Sequence, residues 1–337
     1  MARVAVVGVG HLGQHHARVY SELPQATLVG VVDVSEEQAK LVADRHGVAY
    51  YSKIESILDD VDAVSIVVPT PMHFEMARPF LEAGKSVLVE KPLASTLEEA
   101  DALNEAAATS GSILQVGHIE RFNPVIAAAL PHIESPLFIE CDRIHPFSLR
   151  STDVSVVLDL MIHDIDLVLH LVDDELEELD ALGAAVLSPT EDLATARLVF
   201  NNGCTAMVKT SRVAMNRSRK VRIFSERSYI SLDLVNKSGM RIYLGEGYDP
   251  ADFLDANGRI MAPEGGETAF LAEHLRTEFL QIPDYEPLKA ELSSFIDAHT
   301  QRHEPSVTGL QGRRAMAAAV AIQERMKYHR DRVERPR

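Results

Sequence analysis

Cysteine is scarce in this chain. There are two in 337 residues, Cys141 and Cys204, far apart and in no metal-ligand spacing. That argues against a disulfide framework and fits a reducing cytoplasm. Positive charge is also short: 33 Lys and Arg stand against 50 Asp and Glu, a formal net charge of −17. Such a deficit argues against general nucleic-acid binding and favours solubility. No apolar run is long enough to span a bilayer, so no membrane partner is expected. The N-terminus runs straight into an apolar strand pattern, without the regions of a signal peptide, and a cytoplasmic location is the expectation. Internal repeats and low-complexity segments are missing as well. What remains is ordinary globular material, 46% hydrophobic and 25% charged. At this length about two domains are expected.

The opening stretch is the most informative. Ala2 to Val7 is a short apolar run rich in β-branched residues, and it reads as a buried strand. Gly8, Gly10 and Gly13 follow at G-x-G-x-x-G spacing, with His11 and Leu12 between them, and a helical pattern comes next. Gly8 allows the tight turn, Gly10 lets a pyrophosphate approach the backbone, and Gly13 lets helix and strand pack closely. The helix N-terminus offers free N–H groups and a positive dipole end to phosphates. A second strand, Leu28 to Val32, ends at Asp33, which lies 20 residues after Gly13. That is the place for a ribose hydroxyl ligand, and a carboxylate there repels a 2′-phosphate. No arginine directly follows it, so NAD is favoured over NADP. The competing reading is a glycine turn of some other α/β fold, with Asp33 capping a helix at Glu36-Glu37.

Up to about residue 118, strands alternate with helices. Val4–Val7, Leu28–Val32, Ala63–Val68, Ser86–Glu90 and Ile113–Val116 read as strands. Gln14–Glu22, Glu36–His46, His73–Ala83 and Leu97–Thr109 read as helices. This is the pattern of a parallel sheet covered on both faces. Ligands bind beyond the carboxyl ends of such strands, at Gly8–Gly13, Asp33, Pro69–Thr70, Glu90–Lys91 and Gly117–His118. The pattern then changes. A helix over Val154–Val172 is followed by strand candidates at Gly183–Leu187, Ala194–Phe200, Thr205–Ser211, Lys220–Phe224, Tyr229–Leu234 and Arg241–Leu244. Tight turns such as Asn201-Asn202-Gly203 make that sheet antiparallel. Asp249–Glu267 reads as a loop, and two helices close the chain. The expected division is an α/β domain over 1–120 and an α+β domain over 121–337, with the last helix packing back on the first domain.

Two stretches carry chemistry. Glu90-Lys91-Pro92 places a charged pair directly after a buried strand. A lysine there can hydrogen-bond a reacting hydroxyl and stabilise a developing alkoxide; alternatively the two form a surface pair. On a regular helix Asp159, His163, Asp166 and His170 share one face among leucines and isoleucines. Asp159 and His163 make a plausible general base. The same stripe also fits a satisfied core network, or a metal site from His163, Asp166 and His170.

Val6-x-Gly8-x-Gly10-x-x-Gly13, Asp33, Pro69-x-x-x-His73, Glu90-Lys91-Pro92 and Asp159-x-x-x-His163-Asp164 occur in this order. Over nearly the whole chain they resemble the Gfo/Idh/MocA oxidoreductases, the glucose–fructose oxidoreductase and inositol dehydrogenase family. The resemblance implies a Rossmann domain followed by an open, mainly antiparallel sheet that makes dimer or tetramer contacts. It implies Lys91, Asp159 and His163 as the catalytic set, a cis Lys91–Pro92 peptide and no metal. Cofactor contacts are implied for Gly8, Gly10, His11, Leu12, Gly13, Asp33, Pro69, Thr70, His73, Glu90 and Lys91. Thr70 stands where many members have Asn, and Met161 where many have Gly. Gly117 to Pro124 and Val157 to Asp164 look like the members that act on nucleotide sugars, the UDP-N-acetylglucosamine 3-dehydrogenases. Those supply a 3-keto sugar for amino sugars of lipid A or surface glycans. That likeness implies substrate contacts from Lys91, Arg121, Asn123, Asp159 and His163. The basic run 212–222 adds Arg217 and Arg219 as candidates for a diphosphate. It equally fits a charged strand edge or a salt-bridged contact. The expected activity is NAD-dependent oxidation of a nucleotide-sugar hydroxyl. The alternatives are a free polyol such as an inositol as substrate, or a non-catalytic NAD-binding sensor.

Overall fold

Five of the six residues of the first strand, β1 (Ala2–Val7), are buried, and parallel neighbours flank it on both sides. An alternation of strands and helices follows: α1 (Gly13–Glu22), β2 (Ala26–Val32), α2 (Glu36–His46), β3 (Ala49–Tyr51), β4 (Ala63–Ile66), α3 (His73–Glu82), β5 (Ser86–Glu90), α4 (Leu97–Ser110) and β6 (Leu114–Gly117). The local signals behind these elements are explicit. In α2, for example, Ser35 accepts the N–H of Gln38 at the start, Glu36 and Glu37 meet the positive end, and Gly47 closes the helix at φ 67°. All six strands are parallel, in the order β3-β2-β1-β4-β5-β6. The strand order reverses between β1 and β4, which is where such sheets open a crevice.

This computed structural model describes residues 1–147, 154–245 and 274–333, without the side chains of 329–333. The loop expected over Asp249–Glu267 lies outside the described residues. The chain divides into two compact units. The first comprises Met1–Phe122, Ile165–Leu167 and Tyr285–Glu324; the second comprises Asn123–Asp164, Val168–Asp284 and Arg325–Arg337. The sequence-based boundary at 120 thus falls near the end of the first segment, while residues 285–324 count with the first unit. Among the described residues, no helix is long and apolar enough to cross a membrane.

The second unit contains α5 (Pro124–Ala129), β7 (Phe138–Ile144), a π-helical turn at Val157–Met161 and most of α6 (Ile162–Val172). The remaining strands are β8 (Leu176–Ala184), β9 (Leu193–Phe200), β10 (Thr205–Ser211), β11 (Ser218–Ser225), β12 (Ser228–Asp233), β13 (Ser238–Leu244) and β14 (Leu275–Phe279). They form one open sheet in the order β14-β13-β12-β11-β7-β10-β9-β8, in which β7 and β10 are parallel and every other pair is antiparallel. Strands such as β7, β9 and β10 alternate buried and half-buried or exposed residues, so one face supplies the core. The strand expected at Gly183–Leu187 lies earlier, as β8, because its exposed edge position allows a polar sequence.

Two helices complete the described chain, α7 (Pro287–Gln301) and α8 (Gly309–Val333). Leu292, Phe295 and Ile296 of α7 join Val4, Val6, Val31 and Leu88 in the core of the first unit.

Candidate active site

A cavity of about 660 Å³ opens at the carboxyl ends of β1, β2 and β4. Its lining includes Gly8, Gly10, Asp33, Val67, Val68 and Pro69. Gly8 has φ +84°, and a Cβ there would lie 2.6 Å from the Val67 carbonyl oxygen. A Cβ on Gly13 would lie 1.8 Å from the Gly8 carbonyl oxygen, so helix and turn meet with no space to spare. By contrast, nothing comes within 4 Å of a Cβ built on Gly10. The three glycines thus have three different roles: turn, free approach and close packing. Asp33 Oδ2 accepts the N–H of Val9 at 2.8 Å and Oδ1 that of Ser35 at 2.9 Å. Ser35, not Asp33, caps α2, so the helix-cap reading of Asp33 is set aside. A half-buried carboxylate at the wall of a crevice with a bare Gly10 backbone fits the ribose and pyrophosphate of a dinucleotide. Ser52, Lys53, Ile54 and Glu55 also line the cavity. They follow the three-residue strand β3, too short to stand out in the sequence. His11 and Leu12 are exposed on the glycine turn.

Glu90 and Lys91 follow β5, and the Lys91–Pro92 peptide is cis. They are not a surface pair. Glu90 reaches inward, its Oε1 lying 3.2 Å from Nε2 of the buried His16. Its Oε2 accepts the Lys91 backbone N–H at 3.2 Å. His73 stands behind the cavity wall, with Nδ1 2.8 Å from the Pro92 carbonyl oxygen and Nε2 2.9 Å from that of Val68. Burial pulls its imidazole pKa down. His73 therefore braces the wall at Val68 and the chain after Lys91. Thr70 starts a short 3-10 turn directly after Pro69.

In the second unit Asp159 lies in the π-helical turn and His163 in the first turn of α6. The expectation of one regular helix over 154–172 is corrected here. The wider turn changes the angular step per residue, so Asp159 is offset from the face that His163, Asp166 and His170 share in the regular α6. Leu158, Asp159, Leu160, His163 and His170 are half-buried. Asp164 is buried and takes a bidentate ion pair from Arg143 of β7, at 2.8 Å through both Nε and Nη2. That pair pins the turn carrying Asp159 and His163.

Asp166 belongs with the first unit and is held by Arg121, Nε to Oδ2 at 2.8 Å and Nη2 to Oδ1 at 2.6 Å. Arg121 also donates to Gln311 at 3.1 Å. Its guanidinium is thus held by partners inside the first unit. Asn123 caps α5 by accepting the Val125 N–H at 3.0 Å, a local structural duty. Among the described residues, no group of three His, Cys, Asp or Glu side chains is arranged to hold a metal. The basic run divides likewise. Arg212 is buried and pairs with Asp192 at 2.8 Å, while Arg222 pairs with Glu140 and Asp142 at 3.2 Å. Arg217 is exposed, and Arg219 is half-buried in β11 opposite Arg143.

Comparison with known proteins agrees with this architecture. A model described as "Oxidoreductase family, NAD-binding Rossmann fold" matches residues 2–118, and one described as "GFO/IDH/MocA C-terminal domain" matches residues 143–231. The UDP-N-acetylglucosamine 3-dehydrogenase of Acidithiobacillus ferrooxidans is 35% identical over 321 residues, covering 95% of this chain and 96% of that protein. A solved structure of that dehydrogenase superposes with a TM-score of 0.86 at 34% identity, covering 97% of this chain and 98% of its own. The myo-inositol 2-dehydrogenase of Thermotoga maritima is 25% identical over 350 residues, covering 97% of each chain. The chain belongs to the Gfo/Idh/MocA family of NAD-dependent oxidoreductases.

Proposed function

We propose that the protein is a dehydrogenase of a nucleotide sugar, oxidising the C3 hydroxyl of UDP-N-acetylglucosamine to the ketone. The observation that carries this reading is the 35% identity to a dehydrogenase of that name, sustained over 95% of the chain. Bound NAD supplies the hydride acceptor, and Gly8, Gly10, Asp33 and Pro69 are the residues that would hold it. The Lys91 ammonium hydrogen-bonds the reacting oxygen and stabilises the negative charge that develops there. His163 takes the hydroxyl proton. Asp159 orients that imidazole and raises its basicity. Arg217 and Arg219 are the proposed diphosphate contacts that remain from the basic run. Assembly as a dimer or tetramer through the eight-stranded sheet belongs to the same proposal.

A second reading has an inositol as substrate, favoured by the relative of that activity that spans 97% of this chain. Following NADH absorbance with NAD and either UDP-N-acetylglucosamine or myo-inositol separates the two. Turnover of the inositol with none of the nucleotide sugar overturns the first reading. Lys91→Ala is expected to lower kcat about a hundredfold or more while NAD still binds. Turnover by Lys91→Ala at the wild-type rate would remove Lys91 from the mechanism.

A further inference from the structure

We infer that His16 is a positioning residue for the reaction: through Glu90 it fixes the charge and the path of the chain at Lys91. The inference rests on the reading of Lys91 given above. His16 lies on the buried face of α1, its side chain 2% exposed, a position with no role in the glycine motif. Its Nε2 is 3.2 Å from Glu90 Oε1, and the Lys91 N–H lies 3.2 Å from Oε2. Gly117, the partner of Glu90 across β5 and β6, closes a third side. A Cβ there would come within 3.0 Å of the carboxyl carbon and both oxygens. The carboxylate is therefore clamped at the residue before Lys91.

The charges around the clamp show why His16 matters. Groups facing this cluster are His16 of α1, His73 of α3, Lys91, His118 and Arg121 after β6, Asp166, and Glu291 of α7. Glu291 is fully buried, and neither of its oxygens has a hydrogen-bond partner. Burial, together with the charges of Glu90 and Asp166, pushes it well above the usual carboxylate range and so favours its neutral form. Burial also opposes the charge on Glu90. There, however, the bond to His16 and the charge of Lys91 outweigh it and hold the carboxyl below its usual value. The two carboxyls of one cluster are thus pushed in opposite directions, because one of them has a histidine and an N–H and the other has neither. Without His16, Glu90 keeps only the Lys91 N–H in a half-buried position and is pushed toward its protonated form. Lys91 then loses a negative charge one residue away, and its ammonium form is less favoured.

The test needs no substrate. The full-length protein is labelled with cyanate across pH, and modification of Lys91 is read by peptide mass. His16→Leu is expected to move the Lys91 midpoint to lower pH by about one unit, the effect of losing a charge at close range. His16→Gln, which keeps an N–H near the place of Nε2, restores most of the shift. Glu90→Gln moves the midpoint as His16→Leu does, and provides the measurement if His16→Leu does not fold. Glu291→Gln, a neutral amide at a site that already favours the neutral acid, leaves the midpoint where it was. An unchanged Lys91 midpoint in folded His16→Leu or in Glu90→Gln overturns the inference. So does a shift in Glu291→Gln as large as theirs. A midpoint that moves as expected in a protein that ignores UDP-N-acetylglucosamine overturns only the substrate proposal.

Discussion

Asp33 is fastened to the glycine turn, its Oδ2 accepting the N–H of Val9 at 2.8 Å. Gln38 of α2 adds a bond to the Val9 carbonyl oxygen at 2.6 Å. The acid at the end of β2 and the turn after β1 are therefore one rigid unit of the cavity wall. Its geometry is set before any ligand arrives, which removes an ordering cost from binding.

Asp33→Asn removes the charge and keeps the shape. NAD affinity should fall about tenfold or more, as expected for hydrogen bonds to a charged acceptor. The preference over NADP should narrow, because the repulsion of a 2′-phosphate is lost. Calorimetric titration with both cofactors measures this; unchanged NAD affinity would mean that Asp33 does not meet the ribose.

Gly10 and Gly13 give opposite outcomes for the same substitution. Gly13→Ala puts a methyl 1.8 Å from a backbone oxygen, and should cost about 3 kcal/mol or more of stability or prevent folding. Gly10→Ala meets no atom within 4 Å and should change stability by under about 0.5 kcal/mol, yet weaken NAD binding. Thermal melts with and without NAD separate the two effects.

Arg212 and Asp192 form the buried hub of one end of the second unit. Burial would push the Asp192 carboxyl up. The Ser188 hydroxyl, the Arg212 guanidinium and the N–H groups of Leu187 and Val186 prevail and hold it far below the usual carboxylate range. A depressed folded pKa stabilises fully above the unfolded value of about 4 and is lost as pH falls below it. Arg212→Met should cost about 3–5 kcal/mol at neutral pH, because it leaves a buried charge without its cation. The loss should shrink in acid, where Asp192 is protonated in the unfolded chain. Denaturant melts at pH 7 and pH 3 check the sign; an equal loss at both would assign the effect to packing.

The parallel half was legible because valine-rich runs between turn residues announce buried strands. The observed β1, β2, β4, β5 and β6 end within two residues of the expected bounds. The edge strands β3 and β14 were not legible. One has three residues, and the other, Leu275–Phe279, is exposed at four of five positions and carries no buried face. At the site, the glycines, Asp33 and Glu90-Lys91-Pro92 could be found from their spacing. The partners of Arg121 and Arg212 could not, since Asp166 lies 45 positions away and Asp192 lies 20. Charge is visible in a sequence, but who neutralises it is a property of the fold. His16 was hidden for the same reason. The π-turn was invisible because periodicity assumes a constant step.

The parallel seam between β7 and β10 also dictates an order of events as the chain is made. β7 leaves the ribosome first, yet its two neighbours, β10 and β11, come much later. Until then both of its edges are unpaired, and an unpaired edge invites other chains. The hairpin β9–β10 and the meander β11–β13 can close locally, whereas the middle of the sheet must wait for long-range pairing. Slow, concentration-sensitive maturation of this half is therefore written into the strand order.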